Sequence, residues 1–282
     1  MPDIDIATSC FFLNNAIHCS IISEVQGLEY AYYININGEG RQVLYYPQPS
    51  ELAFSCEGQL VDFFEVTFFA RDEHGNIHSK SQIKRTPWSL CDAAIFTILQ
   101  LTNINSTIIE LGSGYGSTLI SKNRNLISVE HDEKFVSRFQ ELNYVHAPLI
   151  TLQNSVGAAK KWYDPKAIKD GIPSNHDMII LDGPPAEVGR EGILSNLSLF
   201  DSNAIWIVDD VVRNSEQNIA NAIALHFSLL QYKFWNFSIL TKKPLESEKL
   251  LAIKKKSHEE YLSKPRQYLE NYFTSPPHFD NQ

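Results

Sequence analysis

The stretch IIELGSGYGST, residues 108–118, decides how the chain is read. Ile108, Ile109 and Leu111 form a short apolar run that reads as a buried strand, with the acid Glu110 near its end. Gly112, Gly114 and Gly116 then punctuate a turn, and Ser117 opens a helix. Glycine lets the backbone turn sharply and approach a ligand closely, while the first N–H groups of the following helix lack internal partners. Strand, glycine turn and helix in this order form a ligand cradle.

Working outward, strands and helices alternate. A helix is predicted over Trp88 to Leu101, WSLCDAAIFTILQL, leading into the glycine strand. After the turn come helix 117–122, strand 126–130, helix 132–143, strand 148–153, helix 156–163, strand 177–181, helix 190–199, strand 204–209 and helix 214–229. Strands separated by helices of this length require a parallel sheet with helices on both faces. The runs FWNFSIL and KLLAIKKK, joined at Lys243-Pro244, read as a closing antiparallel pair. This α/β domain is assigned to 85–256. Residues 257–282 form a polar C-terminal tail whose YLSKPRQYLENYF segment is expected to pack back as a helix.

Residues 1–84 have a different texture. IHCSIIS, EYAYYININ, RQVLYYP and LVDFFEVTFFARD are rich in β-branched and aromatic residues, and Asn37-Gly38, Gly58 and Gly75-Asn76 separate them. Hairpins are expected in NINGEGRQVL and ARDEHGNIHSK. The pattern predicts a small all-β accessory domain, an immunoglobulin-like sandwich. Tyr30, Tyr32, Tyr33, Tyr45 and Tyr46 read mainly as sandwich core and rim, with a sugar-stacking surface as the competing reading.

Composition sets bounds. With 24 basic residues against 33 acidic ones, the formal charge of -9 argues against nucleic acid or an anionic membrane as partner. A small-molecule or glycan acceptor suits this surface better, and a homodimer is left open, as is whether the β domain binds substrate, dimerises or shields an edge. No stretch reaches the ~18 apolar residues of a membrane span, and MPDIDIATSCFFLNN carries no basic leader, so a cytoplasmic location is expected. Cys10, Cys19, Cys56 and Cys91 lack C-x-x-C spacing and read as reduced, buried thiols, with a Cys10–Cys19 bridge left open.

A dinucleotide fold favours G-x-G-x-x-G with a ribose-binding acid about 20 residues on. Here the spacing is G-x-G-x-G, Glu110 precedes it, and Glu130 ends the next apolar run, LISVE. At these residues the chain resembles the class I S-adenosylmethionine-dependent methyltransferases. The resemblance implies a Rossmann-like sheet, mostly parallel with an antiparallel closing strand. It also implies a cofactor held by Glu110, Gly112, Ser113, Gly114, Tyr115, Gly116, Ser117 and Thr118, with Glu130 on the ribose hydroxyls, His131 beside the adenine, and Asn154 or Ser155 near its amino group. On the residues alone, His131 reads equally as a solvated helix start, and Asn154 as a turn or N-cap residue.

Ligands of open α/β sheets bind at the carboxyl ends of the strands. HDMIILDGPP places Asp182 at one such end, and AIWIVDDVVR places Asp209 and Asp210 at another. Three carboxylates brought close repel unless a cation or a shared proton offsets them. Hard oxygen donors of this kind suit Mg²⁺ or another divalent cation, whereas helix capping explains Asp209 and Asp210 without one. The pattern is similar to metal-dependent sugar O-methyltransferases and, through LDGPP, Gly189-Arg190 and VDDVVRNSE, to the glucuronoxylan 4-O-methyltransferase family. Matched residue by residue, the first likeness gives Asp182, Asp209 and Asp210, and the second implies that Arg190, Arg213 and Glu216 hold a polar or acidic sugar; Asp182, Asp210, Arg190 and Arg213 are the expected catalytic residues. The macrolide sugar enzymes place a histidine soon after the first acid as general base; here Pro184, Pro185, Ala186 and Glu187 follow, leaving the base unassigned. The expectation is an O-methyltransferase acting on a sugar, glycan or related polar metabolite. A catalytically silent methyltransferase-like module acting through its β domain is the competing reading; an NAD-dependent oxidoreductase is disfavoured by the glycine spacing.

Overall fold

A computed structural model of the chain describes residues 5–59, 61–86, 89–152 and 161–263. The chain divides between Ser89 and Leu90 into two compact units.

The first unit contains β1 (Ala7–Leu13), β2 (Ala16–Ile22), β3 (Glu29–Ile36), β4 (Glu39–Gln48), β5 (Glu51–Ser55), β6 (Phe63–Arg71) and β7 (Ile77–Arg85). They form two antiparallel sheets, ordered β1-β2-β5 and β4-β3-β6-β7. Alternation along β6 buries Phe64, Val66, Phe68 and Ala70 against Ile17 and Cys19 of the other sheet. Both predicted hairpins form, and β3 turns into β4 through Asn37 and Gly38, each with positive φ, the geometry of a tight two-residue turn. Tyr32 belongs to the core and its hydroxyl donates to the Pro49 carbonyl at 2.7 Å. Tyr33 instead packs on Phe69, and Tyr45 is 72% exposed. The four cysteines are free and buried. Cys10 and Cys19 are cross-strand partners, yet burial holds both as thiols, pushing the Cys10 pKa up to about 12 and that of Cys19 higher.

The second unit contains α1 (Asp92–Leu101), β8 (Thr107–Leu111), α2 (Tyr115–Ser121), β9 (Asn125–Glu130), β10 (Asn143–His146), β11 (Leu149–Thr151), β12 (Lys161–Tyr163), α3 (Pro165–Gly171), β13 (Met178–Leu181), β14 (Ile205–Asp209), α4 (Asn214–Phe227), β15 (Leu230–Lys233), β16 (Phe237–Thr241) and α5 (Ser247–Ser263). Seven strands form one mixed sheet, ordered β10-β9-β8-β13-β14-β16-β15, in which β16 runs antiparallel to both neighbours and the other pairings are parallel. Numbered within this sheet, its first five strands follow the 3-2-1-4-5 order of doubly wound folds. The connection reverses direction between β8 and β13.

Period-two alternation sends each central strand into two cores. Ile109, Leu111, Ile179, Leu181, Trp206 and Val208 meet Ile219, Ala220 and Ile223 of α4 on one face. Ile108, Met178, Ile180 and Ile207 meet Ala94 and Ile98 of α1, Ile120 of α2 and Ile253 of α5 on the other. Burial on both faces explains why MIIL is continuously apolar.

Several predicted elements differ. Residues 133–142 form turns and bends, because Asp132 closes local bonds to Lys134 and Phe135 and Ser137 adopts a positive φ of 65°. The third sheet strand on this side is β10; β11 pairs only with β12, outside the main sheet. Residues 156–160 of the predicted 156–163 helix lie outside the described residues, and Lys161 to Tyr163 are strand. The 190–199 segment forms two 3-10 turns, Glu191–Ser195 and Leu197–Leu199. Gly192 packs there so tightly on Trp162 that an added Cβ would fall 2.5 Å from the Trp162 Cβ.

KLLAIKKK is helix, not strand: it lies in α5, which buries Ile253, Ser257 and Glu260 at helical spacing. Glu260 then does what no local side chain does for α1. Its Oε1 accepts from the Asp92 N–H at 3.1 Å and its Oε2 from the Ala93 N–H at 2.6 Å. A carboxylate at a helix N-terminus satisfies otherwise unpaired donors and complements the helix dipole. Glu260→Ala is therefore expected to cost about 1 kcal/mol or more of stability in urea unfolding, with Glu260→Gln intermediate; equal midpoints for all three proteins would remove this cap.

Candidate active site

The polar groups gather at the carboxyl ends of the sheet, around the switch between β8 and β13. Gly112 follows β8 with φ 100°, a conformation that favours glycine, and its Cβ position lies 3.1 Å from the Gly183 nitrogen. Strand-end packing therefore shapes this turn. Ser117 in the first turn of α2 accepts from the Gly114 N–H at 3.0 Å, and Thr118 donates to the Tyr115 carbonyl at 2.8 Å.

Glu110 is buried and accepts from the Ser128 hydroxyl at 2.6 Å. Burial lifts its pKa from 4.5 to about 8, against the Ser128 and Ser117 hydroxyls. An acid whose pKa rises on folding holds more protons folded than unfolded between the two values, so its contribution to stability falls as pH climbs from about 4.5 to about 8. Glu110→Gln is expected to flatten that decline. Urea midpoints compared below about pH 5 and above about pH 8 test it, and parallel wild-type and variant profiles would contradict it.

Glu130 at the end of β9 behaves oppositely. Burial alone would raise its pKa, but bonds from His131, Asp132 and Ser113 outweigh that and hold it below the usual glutamate value. Its Oε1 accepts from the His131 and Asp132 N–H groups at 2.7 and 3.0 Å, and its Oε2 from the Ser113 hydroxyl at 2.8 Å. The His131 Nδ1 lies 2.8 Å from Oε1, and Glu130 raises the His131 pKa. Since Oε2 has one side-chain partner, it retains acceptor capacity toward a ligand hydroxyl. Asn154 and Ser155 lie outside the described residues.

Across the switch point, one carboxylate oxygen each of Asp182, Asp209 and Asp210 lies within 4.8 Å of the others. Successive strand residues normally face opposite ways; Asp210, at φ 60°, breaks that alternation just beyond β14, so both aspartates join the group. Arg190 is buried at 3% exposure and binds the cluster together. Its Nη2 donates to the Asp182 carbonyl at 2.7 Å, to Asp182 Oδ1 at 3.3 Å and to Asp210 Oδ2 at 3.0 Å. Its Nη1 donates to the Asp209 carbonyl at 3.2 Å and its Nε to the Pro184 carbonyl at 3.3 Å. Arg213 is more open and places Nη1 3.0 Å from Asp210 Oδ2 and 3.8 Å from Glu216 Oε1. Burial, then Asp210 and Asp182, pushes the Asp209 pKa well up. Burial also raises the Asp182 pKa, with Arg190 opposing and Asp210 adding to the rise. The all-oxygen donor set fits a hard divalent cation.

Two residues here escaped sequence reading. Asn236 donates to Asp209 Oδ1 at 3.3 Å from the loop between β15 and β16. Tyr163, expected in a helix, is fully buried beside His131, with ring centroids 6.0 Å apart. The Asp164-Pro165 pair after it was a usable signal: Asp164 caps α3 by accepting from the Lys166 N–H at 2.9 Å, so a new helix begins there and none runs through Tyr163.

No family model matches this chain, and no curated protein matches it. Among solved structures it is similar to a methyltransferase-like protein from Silicibacter pomeroyi, with 14% identity and a TM-score of 0.37 over 58% of this chain and 93% of that one. It is also similar to the spore cortex lytic enzyme SleM of Clostridium perfringens, with 11% identity and a TM-score of 0.22. That match covers 29% of this chain and spans only 27% of the SleM chain. A β-1,2-glucanase from Parabacteroides distasonis gives 15% identity and a TM-score of 0.21 over 34% of this chain and 15% of that one. Among the described residues no helix is long and apolar enough to cross a membrane.

Proposed function

We propose that the protein is an S-adenosylmethionine-dependent O-methyltransferase acting on a hydroxyl of a sugar, glycan or related polar metabolite. The observation that carries this reading is Glu130: a carboxylate kept ionised at the end of the strand next to the Gly112 turn, at the switch point of a doubly wound sheet. The antiparallel β16, inserted where a dinucleotide fold continues in parallel, supports the same choice.

In this reading Glu130 Oε2 accepts from the ribose, and the Gly112 to Thr118 turn and Glu110 border the remainder of the cofactor. Bound S-adenosylmethionine supplies a sulfonium methyl with a good leaving group behind it. The protein's task is then to align an acceptor oxygen and take its proton in a site shielded from water. Asp182 suits proton acceptance, since its side chain, 22% exposed, is more open than that of Asp210 at 13%. Arg190 holds Asp182 and Asp210 in position, and Arg213, 32% exposed, faces a polar or acidic acceptor group. Asp182, Asp209 and Asp210 would hold Mg²⁺ or a similar ion, which when bound lowers the pKa of a hydroxyl. The immunoglobulin-like character of the β unit belongs to this proposal too.

Calorimetric titration with S-adenosylhomocysteine tests the reading. Saturable one-to-one binding is expected. An absence of binding would remove the enzyme and leave a methyltransferase-like binding module.

A further inference from the structure

Arg190 bridges the carboxylates that a divalent ion would bridge. Its Nη2 donates at once to Asp182 Oδ1, at 3.3 Å, and to Asp210 Oδ2, at 3.0 Å, so one nitrogen engages two of the three acids. Mg²⁺ bonds oxygen at about 2.0–2.1 Å, and bound to that Asp210 oxygen it would lie within about 5 Å of Nη2. Arg190 is only 3% exposed, so little water screens the repulsion between two cations at that separation. The guanidinium does not give way readily. The carbonyls of Pro184, Asp182 and Asp209 hold it through Nε, Nη2 and Nη1, and arginine keeps its charge at any working pH.

Two observations leave the cluster with some attraction for a cation all the same. Among the described residues the Asp209 carboxylate makes no ion pair, whereas Arg190 pairs with Asp182 and both arginines pair with Asp210. Asn236, itself 9% exposed, donates through Nδ2 to Asp209 Oδ1 at 3.3 Å, and its amide oxygen has no hydrogen-bond partner among the described residues. Carboxylate and amide oxygens are the donors that hard cations take.

We propose that Arg190 is the resident cation of this cluster and competes with a divalent ion for Asp182 and Asp210, so that the chain takes up such ions weakly until the guanidinium is removed. The inference rests on the cation role given above to the three aspartates, and not on the cofactor.

The experiment is titration with Mn²⁺ alone, an ion suited to oxygen donors, with free Mn²⁺ followed by electron spin resonance and a melting curve taken at each concentration. Wild type, Arg190→Met, and Arg190→Met combined with Asp182→Asn are compared. Arg190→Met is expected to bind Mn²⁺ at least tenfold more tightly than wild type. At an ion concentration about a hundredfold above its Kd, that variant is expected to melt about 5 °C or more above its ion-free midpoint, with a smaller rise for wild type. Adding Asp182→Asn is expected to remove most of the gain. A wild type that binds Mn²⁺ as tightly as Arg190→Met, or more tightly, overturns the proposal. So does a gain that survives Asp182→Asn, because the ion then sits elsewhere. If Arg190→Met fails to fold by itself, Mn²⁺ should restore its fold, and a variant that stays unfolded at every Mn²⁺ concentration also overturns the proposal. Should none of the proteins bind Mn²⁺, the cation role of the aspartates falls with it, while titration with S-adenosylhomocysteine still decides the cofactor reading.

Discussion

Arg190→Met is expected to destabilise the protein by about 3–5 kcal/mol, the usual consequence of removing one member of a buried ion-pair network. The guanidinium faces Asp182 and Asp210 and donates to the carbonyls of Pro184, Asp182 and Asp209. Methionine fills a similar volume but leaves two carboxylates and three carbonyls without that donor. Against a typical total of about 5–15 kcal/mol, the loss is a large fraction. The sign with pH follows from the same geometry. Without the cation, the nearby carboxylates bind protons more readily in the folded state, so the variant recovers stability as pH falls. Urea unfolding at neutral pH and near pH 5 measures both effects. A loss below about 1 kcal/mol, or one independent of pH, would show that Arg190 does not hold the cluster together.

Glu130→Ala is expected to weaken cofactor binding by at least tenfold, and by about a hundredfold if two ribose hydroxyls donate to the carboxylate at full strength. The variant also leaves the Ser113 hydroxyl and the His131 and Asp132 N–H groups short of an acceptor. Its melting temperature therefore belongs beside its affinity. Glu130→Gln separates the two effects, because an amide oxygen still accepts but carries no charge. Unchanged affinity in a folded Glu130→Ala protein would take the ribose role away from this residue.

The sheet was legible where residues repeat a simple physical rule. β9 and β14 are mostly apolar runs that end on acids, β13 is wholly apolar and is followed by one, and β8 carries Glu110 just before its last residue, because strands buried on both faces are largely apolar until they emerge at the ligand end. The residues that meet across the switch point, Glu110, Glu130, Asp182, Asp209 and Asp210, could be named for that reason. Other elements hid behind competing signals. The run from Phe135 to Leu142 has helical spacing, but Asp132 offers its backbone neighbours local bonds that compete with a helix. KLLAIKKK looks like a strand if only its apolar residues are counted, whereas its buried positions continue through Ser257 to Glu260 at helical spacing. The engagement of Arg190 and the placement of Tyr163 depend on contacts between segments far apart in sequence, which no local pattern encodes. Arg190 reads in the sequence as a substrate-binding arginine; in the structure every nitrogen of its guanidinium donates to the protein.

The most direct test of the account is a crystal structure with S-adenosylhomocysteine and Mg²⁺. The account predicts the ribose hydroxyls against Glu130 Oε2 and the sulfur on the side of the crevice facing Asp182. A ligand bound elsewhere, with Glu130 still bonded only to Ser113, His131 and Asp132, would contradict it.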